Sequence, residues 1–325
     1  MVDAKPRRFW RNSPADAILL AITLTQFTGT ILLAALTPDG LWPRLASAAL
    51  VTAMMTYSII VVTHLFVHQP WFTDSRLNSL LSAISSANIA QSVQAYHLTH
   101  VRNHHRYNND RKRDGTTADI TSTFRHGREG EHARLWWYLV RGLAGSAQEW
   151  ALTWVALGRG CAVGRRETTL LSLAARHPER RAAELRQIRW DRLALLAFTA
   201  LLAVLSWQWT VLCYLPSVAL AFTLVNIQNY YRHFGAEPES RYANSVSHYG
   251  RLYNLLTFND GYHQEHHLRP ATHWSRLPEV AEEYQERFEE AGRVVSPVPA
   301  LVGFLDTGRA ARTSRPASRR GRSGT

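Results

Sequence analysis

Cysteine is almost absent: two occur in 325 residues, Cys161 and Cys213, and Cys213 lies within an apolar run. That scarcity excludes a disulfide framework and any cysteine-ligated zinc or iron–sulfur site. Acidic charge is also scarce, with 25 Asp and Glu against 37 Lys and Arg, a formal net charge of +12. Nucleic acid is the usual first suspect for such an excess, but no basic DNA-reading motif accompanies it, and no nucleic-acid partner is expected. There is no internal repeat. The N-terminal MVDAKPRRFWRNSP is basic and leads into a long apolar run with no small-residue cleavage site, so it reads as preceding an uncleaved first span rather than as a signal peptide.

What is present is segregated. Hydrophobic residues make up 46% of the chain and charged ones 19%, yet mean hydropathy is only −0.21. The average hides nearly charge-free apolar runs alternating with arginine-rich ones, the pattern of a multispanning membrane protein with large water-facing parts. Spans are expected at about 15–36, 45–67, 191–206 and 210–228, the third short and the fourth kinked by Pro216. Residues 37–43 hold no Lys or Arg, which places that loop outside and the N-terminus inside. Residues 69–190 and everything after 231 then face the cytoplasm, where arginine meets anionic lipid heads. The expected fold is all-α, an integral membrane protein with about four transmembrane helices and a cytoplasmic helical cap. It divides into a basic N-terminus (1–14), a membrane domain (15–295) and a C-terminal segment (296–325) whose basic tail, from Arg309, is expected to be disordered.

Two further helices are expected at the membrane surface. Residues 77–96 are mildly apolar but rich in Ser, Asn and Gln, suiting a helix lying on or packed against the membrane. Residues 135–157, with Trp136, Trp137, Trp150 and Trp154 broken by Arg141 and Glu149, read as an interfacial amphipathic helix. An amphipathic helix is also expected over 278–291.

Between His263 and His267 the chain packs three histidines into five positions, His263, His266 and His267 in HQEHH, and the theme recurs upstream. His64 and His68 stand one helical turn apart at the inner end of the second span. His100, His104 and His105 lie in HVRNHH, with His97 a turn earlier, and His233 stands just past the fourth span. Helix positions i, i+3 and i+4 share a face, so such rings converge, and converging neutral imidazoles are what a divalent transition metal takes. Four spans bring every group to one side of the membrane, which hydropathy alone did not require. Nine such histidines exceed what one ion uses, so two metals is the economical count. All-nitrogen ligation suits iron, copper or zinc, and spacing does not choose among them. His126, His132, His177, His248 and His273 lie outside the pattern. Asp110, Asp114, Asp119, Asp260 and Glu265 are placed to accept the other ring N–H of a ligand, Glu265 having direct ligation and a solvated loop acid as rival readings. Arg102, Arg106, Arg111, Lys112 and Arg113 are candidates to meet an acidic substrate head, against the plainer reading of positive-inside charge.

HLFVH, HVRNHH and HQEHH, in this order and separated by a second pair of spans, resemble the three histidine boxes of the membrane fatty acid desaturase family. The resemblance covers roughly residues 45–290. The stretch HLRPATHWSRLPE also resembles the ending found in bacterial desaturase-like proteins and carotenoid ketolases, and Asn229 with His233 matches an Asn-xxx-His element that contributes to the second metal in acyl-CoA desaturases. The resemblance implies a non-haem di-iron centre (two iron ions), molecular oxygen as oxidant and hydrogen abstraction from an unactivated C–H bond of a lipid or hydrocarbon. Two departures are visible: the middle box is HxxxHH rather than HxxHH, with His97 as an alternative register to His100, and no haem-binding HPGG segment is fused, so a separate electron donor of ferredoxin or reductase type is expected. The implied location is a bacterial cytoplasmic membrane, with both termini and the metal site on the cytoplasmic side. Desaturation is the leading expectation, with hydroxylation, ketolation or oxidative decarboxylation by the same centre as the alternative. A zinc-dependent membrane hydrolase is opposed by the surplus of ligands and the lack of a HExxH base. A metal-chelating protein and a bis-histidine haem protein are the remaining rivals.

Overall fold

The structure, a computed structural model, describes residues 8–309. In chain order the helices are α1 (Asp16–Leu36), α2 (Leu41–Tyr57), α3 (His64–His68), α4 (Ser75–Ile89), α5 (Val93–Thr99), α6 (His105–Tyr107), α7 (Leu135–Gly158), α8 (Thr168–Ala175), α9 (Pro178–Trp209), α10 (Leu215–His233), α11 (Arg251–Leu256), α12 (His263–Leu268), α13 (Leu277–Glu283) and α14 (Gln285–Glu290). Wide π turns join α2 to α3 (Ser58–Thr63), α5 to α6 (His100–His104) and α9 to α10 (Thr210–Tyr214). Strand pairing among the described residues is limited to a parallel pair, Val246–Ser247 beside Val294–Val295, and single bridges between Trp10 and Phe72 and between Arg113 and Thr116.

Three stretches are long and apolar enough to cross a membrane: Asp16–Leu36, Leu41–His68 and Pro178–His233. The last has 56 residues, far beyond the roughly 20 that one crossing needs. It is interrupted at Ser206, whose extended backbone (φ −161°, ψ 99°) stands beside Trp207-Gln208-Trp209. Helix α1 shows why a membrane suits these stretches. Its buried positions, Asp16, Leu19, Thr23, Gln26, Thr30 and Ala34, form one stripe at helical spacing that is mostly polar, while Ile18 and Leu32 face outward more than half exposed. Apolar surroundings outside and hydrogen-bonding groups inside is the arrangement lipid enforces.

The chain divides into two compact units, residues 1–103 with 140–225, and residues 104–139 with 226–325. In the first unit polar side chains knit the apolar helices together. Gln26 donates to the carbonyl of Asn88 (2.9 Å), and Asn88 donates back to that of Thr23 (2.8 Å). The buried carboxylate of Asp191 on α9 accepts from Ser82 (2.9 Å), Ser92 (2.9 Å), the Gln94 amide (2.8 Å) and Gln187 (2.8 Å). The Ser- and Asn-rich segment therefore breaks into α4 and α5, its serines turned to α9. Asp74 caps α4 by accepting from the Arg76 amide (2.7 Å), and Ser92 caps α5 by accepting from that of Ala95 (3.1 Å). Helix α7 leaves Trp136 and Trp137 exposed, and Trp150 donates to the carbonyl of Ala90 (2.8 Å).

The second unit is built on hydrogen-bonded loops. Asp110 accepts from the amides of Ala118 and Asp119 (both 2.8 Å), and Asn109 accepts from that of Thr123 (2.7 Å). The helix expected over 278–291 is two short ones, α13 and α14, broken at Tyr284. Arg309, where the disordered tail was expected to begin, is instead buried, donating to Asp306 (3.1 Å) and to the Tyr231 carbonyl (2.8 Å). The rest of that tail and the first seven residues lie outside the described part of the chain.

Candidate metal centre

The first unit holds His64, His68 and His100. Their ring centroids form a triangle with sides of 5.1, 4.7 and 5.1 Å. The π turn before His64 and the one beginning at His100 widen the helix at these positions, a distortion common at functional sites. His97 has its Nδ1 on the carbonyl of Val67 at 2.9 Å, a hydrogen bond that ties α5 to α3.

The second unit holds the rest. His104, His233 and His267 are buried and offer ring nitrogens that all lie within 4.8 Å of one another. In each of the three, Nδ1 faces an oxygen: Asp119 Oδ2 at 2.7 Å for His104, the Asn244 carbonyl at 3.3 Å for His233, and Asn108 Oδ1 at 2.9 Å for His267. An acceptor at Nδ1 fixes the N–H there and turns the lone pair onto Nε2, the tautomer a metal ligand needs. Nε2 of His267 is indeed buried with no hydrogen-bond partner among the described residues. Burial, reinforced by the neighbouring imidazoles, holds His267 well below the usual histidine range, so the ring is neutral. Close by, His105 and His266 bring their Nε2 atoms to 3.1 Å, and His263 Nε2 lies 3.5 Å from that of His233. Three buried imidazoles whose ring nitrogens come together, one of them with an orphaned nitrogen, fit a divalent transition metal.

Asp119 is fully enclosed. Burial alone would raise its pKa, but the His104 charge and hydrogen bonds from His104 and Thr121 outweigh it and hold the carboxyl well below the usual range. Thr121 donates to it through both amide and hydroxyl (2.8 Å each), and the Asn109 amide adds a bond at 2.9 Å.

Other expected supports do different work. Glu265, considered both as a ligand and as a partner for a ligand ring, is buried and accepts from Ser247 (2.8 Å), Tyr249 (2.5 Å) and Arg293 (3.3 Å). It therefore ties the β pair to α12 instead of holding an imidazole. Asp260 accepts from Arg232, Tyr253 (2.8 Å) and Gln228 (3.3 Å), bracing the end of α10. Asp110 caps loop amides, and Asp114 sits at a tight turn with positive φ. The Asn229 amide donates to Tyr138 Oη (2.6 Å) and the Thr121 carbonyl (3.3 Å). Of the proposed headgroup cations, Arg102 is paired with Glu184, Arg111 with Glu237 and Glu239, and Lys112 donates to the Gly127 carbonyl. Neither Asn108 nor Asn244 offers a carboxylate to mark it as a ring partner, and Asn244 acts through its backbone carbonyl, which residue type does not reveal. Asn108, three residues past His105 and in the left-handed conformation (φ 49°), carried a signal in its type and position.

Gly261 locks the approach to α12. A Cβ there would lie 2.1 Å from the His248 carbonyl and 2.6 Å from Asn254 Oδ1, whose side chain accepts from the Gly261 amide (3.0 Å) and donates to the His248 carbonyl (2.9 Å).

Apolar helices able to cross a membrane and buried, oriented histidine clusters define a membrane protein with a histidine-rich metal centre. The model of the fatty acid desaturase family matches residues 40–299, well over half of the chain, and the protein belongs to that family. Over 63 residues, 19% of this chain and 17% of the relative, it is 40% identical to a sphingolipid delta(4)-desaturase of Candida albicans. Over 61 residues, 19% of each chain, it is 43% identical to the sphingolipid delta(4)-desaturase DES1 of Drosophila melanogaster. The chain thus matches less than a fifth of the length of either curated relative.

Proposed function

We propose that the protein is an oxygen-dependent lipid desaturase working through two iron ions, with His64, His68, His100, His104, His105, His233, His263, His266 and His267 as the ligands. The observation that carries this is the triplet His104, His233 and His267, each with an oxygen at Nδ1 and its other nitrogen turned inward. When bound, the iron pair supplies the activation of molecular oxygen and the removal of hydrogen from an unactivated C–H bond. The protein's part is to fix the rings through Asp119, Asn108 and Asn244 and to bury the cluster from water. The family membership supports iron over the copper or zinc that the same nitrogens would accept.

The reading includes four crossings, the third and fourth separated at Ser206, with both termini and the histidines on the cytoplasmic side of a bacterial membrane. Electrons come from a donor of ferredoxin or reductase type. The substrate is a lipid acyl or hydrocarbon chain. The curated relatives are named for the delta-4 position of sphingolipids, so an amide-linked lipid is the first substrate to offer.

Iron analysis with Mössbauer spectroscopy on anaerobically purified protein tests the centre, and a coupled iron pair is expected. One zinc and no iron would sink the reading. Mass spectrometry of lipids from an expressing host then separates loss of two hydrogens, expected for desaturation, from gain of one oxygen, which would make the protein a hydroxylase.

A further inference from the structure

The first unit contains a second polar site, far simpler than the histidine clusters. A small open groove is lined by Ala90, Gln91 and Ser92 at the break between α4 and α5, by Glu149, Trp150, Thr153 and Trp154 on α7, and by Arg192, Leu195 and Phe222. Its enclosed part takes no more than one water-sized group, the size of a carbonyl oxygen, and the rest lies open to the surroundings. Its walls are aromatic and aliphatic, and Trp154 is 38% exposed at its edge.

Arg192 is 1% exposed. Its terminal nitrogens are engaged by Glu167 and by the Ala162 carbonyl, but Nε–H is buried with no hydrogen-bond partner among the described residues. A buried donor left unmade costs free energy, so the groove asks for an acceptor. Glu149 lines the same groove and makes no hydrogen bond among the described residues. Burial pushes its carboxyl up, against the pull of Arg192.

Charge narrows the occupant. Arg192 is already paired with Glu167, which leaves no net positive charge for a free carboxylate or a phosphate. A cationic head would leave Arg192 Nε–H unsatisfied. A neutral carbonyl flanked by hydrocarbon answers Arg192, its oxygen on Nε–H and its chain along Trp150, Leu195 and Phe222.

We propose that this groove binds the carbonyl linkage, amide or ester, of an uncharged lipid, with Arg192 as its hydrogen-bond donor and Glu149 at its rim. The proposal rests on the lipid-oxidation reading only for the kind of lipid concerned. Binding is measured on protein that needs no iron, so failure of the groove and failure of the iron centre show separately.

The test uses the full chain in phosphatidylglycerol nanodiscs carrying an N-acyl sphingosine with a diazirine and an alkyne in its acyl chain. After irradiation, adducts are expected to concentrate on the peptides holding Ser146–Trp154 and Leu195. Glu149→Gln should label like the wild type, whereas Glu149→Lys, on the half-exposed helix face, should label at least fivefold less while eluting as the same monodisperse species. Unlabelled N-acyl sphingosine and diacylglycerol should compete, and palmitate should not. Adducts spread evenly over the apolar helices, wild-type labelling of Glu149→Lys, or equal competition by palmitate would overturn the proposal. Conversion of the bound probe by iron-loaded protein would identify the occupant as substrate; labelling without conversion would identify a resident lipid. Either result upholds the site.

Discussion

Asp119 receives hydrogen bonds from His104, Asn109 and Thr121 and has no exposure to water, so its charge is committed to one arrangement. Asp119→Asn keeps the shape but sets an NH₂ against one of these donors and removes the anion that orients His104. Iron affinity in a chelator competition should fall about 10- to 100-fold with the helical circular dichroism retained; affinity within twofold of wild type would refute this role for the carboxylate. A second residue-scale effect concerns His132, which burial, with Arg111 adding to it, lowers to about 3. It is stacked on Phe124, with Nδ1 near Thr123 Oγ1 (2.7 Å) and Nε2 accepting from the Gly235 amide (3.3 Å). Unfolded, the ring takes a proton near pH 6.5; folded, it stays neutral. Its contribution is therefore complete above pH 6.5 and is lost as pH falls toward 3. Between pH 7 and 5 the loss is about 2 kcal/mol. Melting in detergent should drop over that interval and drop less in His132→Gln, and identical pH profiles for the two proteins would count against this assignment.

At the scale of elements, polar seams decide how apolar helices meet. Asp191 on α9 collects four donors from α4, from the start of α5 and from its own helix. Asp191→Ala strands them in an apolar setting, and a loss of about 3–5 kcal/mol is expected, read as a collapse of the detergent melting transition; a shift under about 2 °C would show that water replaces the carboxylate. The helix over residues 16–36 was legible because a run of that length with no charge after Asp16 has few alternatives. The fate of residues 77–96 was only half legible. Their Ser, Asn and Gln marked a packed helix, but the partner of Ser82 lies 109 residues away, and no local pattern announces it. For the same reason the break at Tyr284 was missed, since the amphipathic spacing continues across it.

For the whole molecule, the histidines were legible because imidazole at helical spacing has few structural uses. Which oxygen orients which ring was not, since Asn108, Asp119 and Asn244 are presented by loops whose course depends on Asp110 and Asn109 closing them. Sidedness is the property on which the proposed mechanism most depends, because an electron donor must reach the face that carries the histidines. The proposed topology sets residues 37–43 outside and the 69–190 stretch inside. Exposed Cys161, between α7 and α8, then faces the cytoplasm, while Cys213 is buried. In a Cys213→Ala background, a membrane-impermeant maleimide should leave Cys161 unlabelled in intact cells and label it after permeabilisation. With Cys161 also replaced by Ala, Asp39→Cys should be labelled in intact cells. The reverse pattern would put the histidines on the outer face, away from cytoplasmic reductants, and would overturn the topology together with the proposed electron supply.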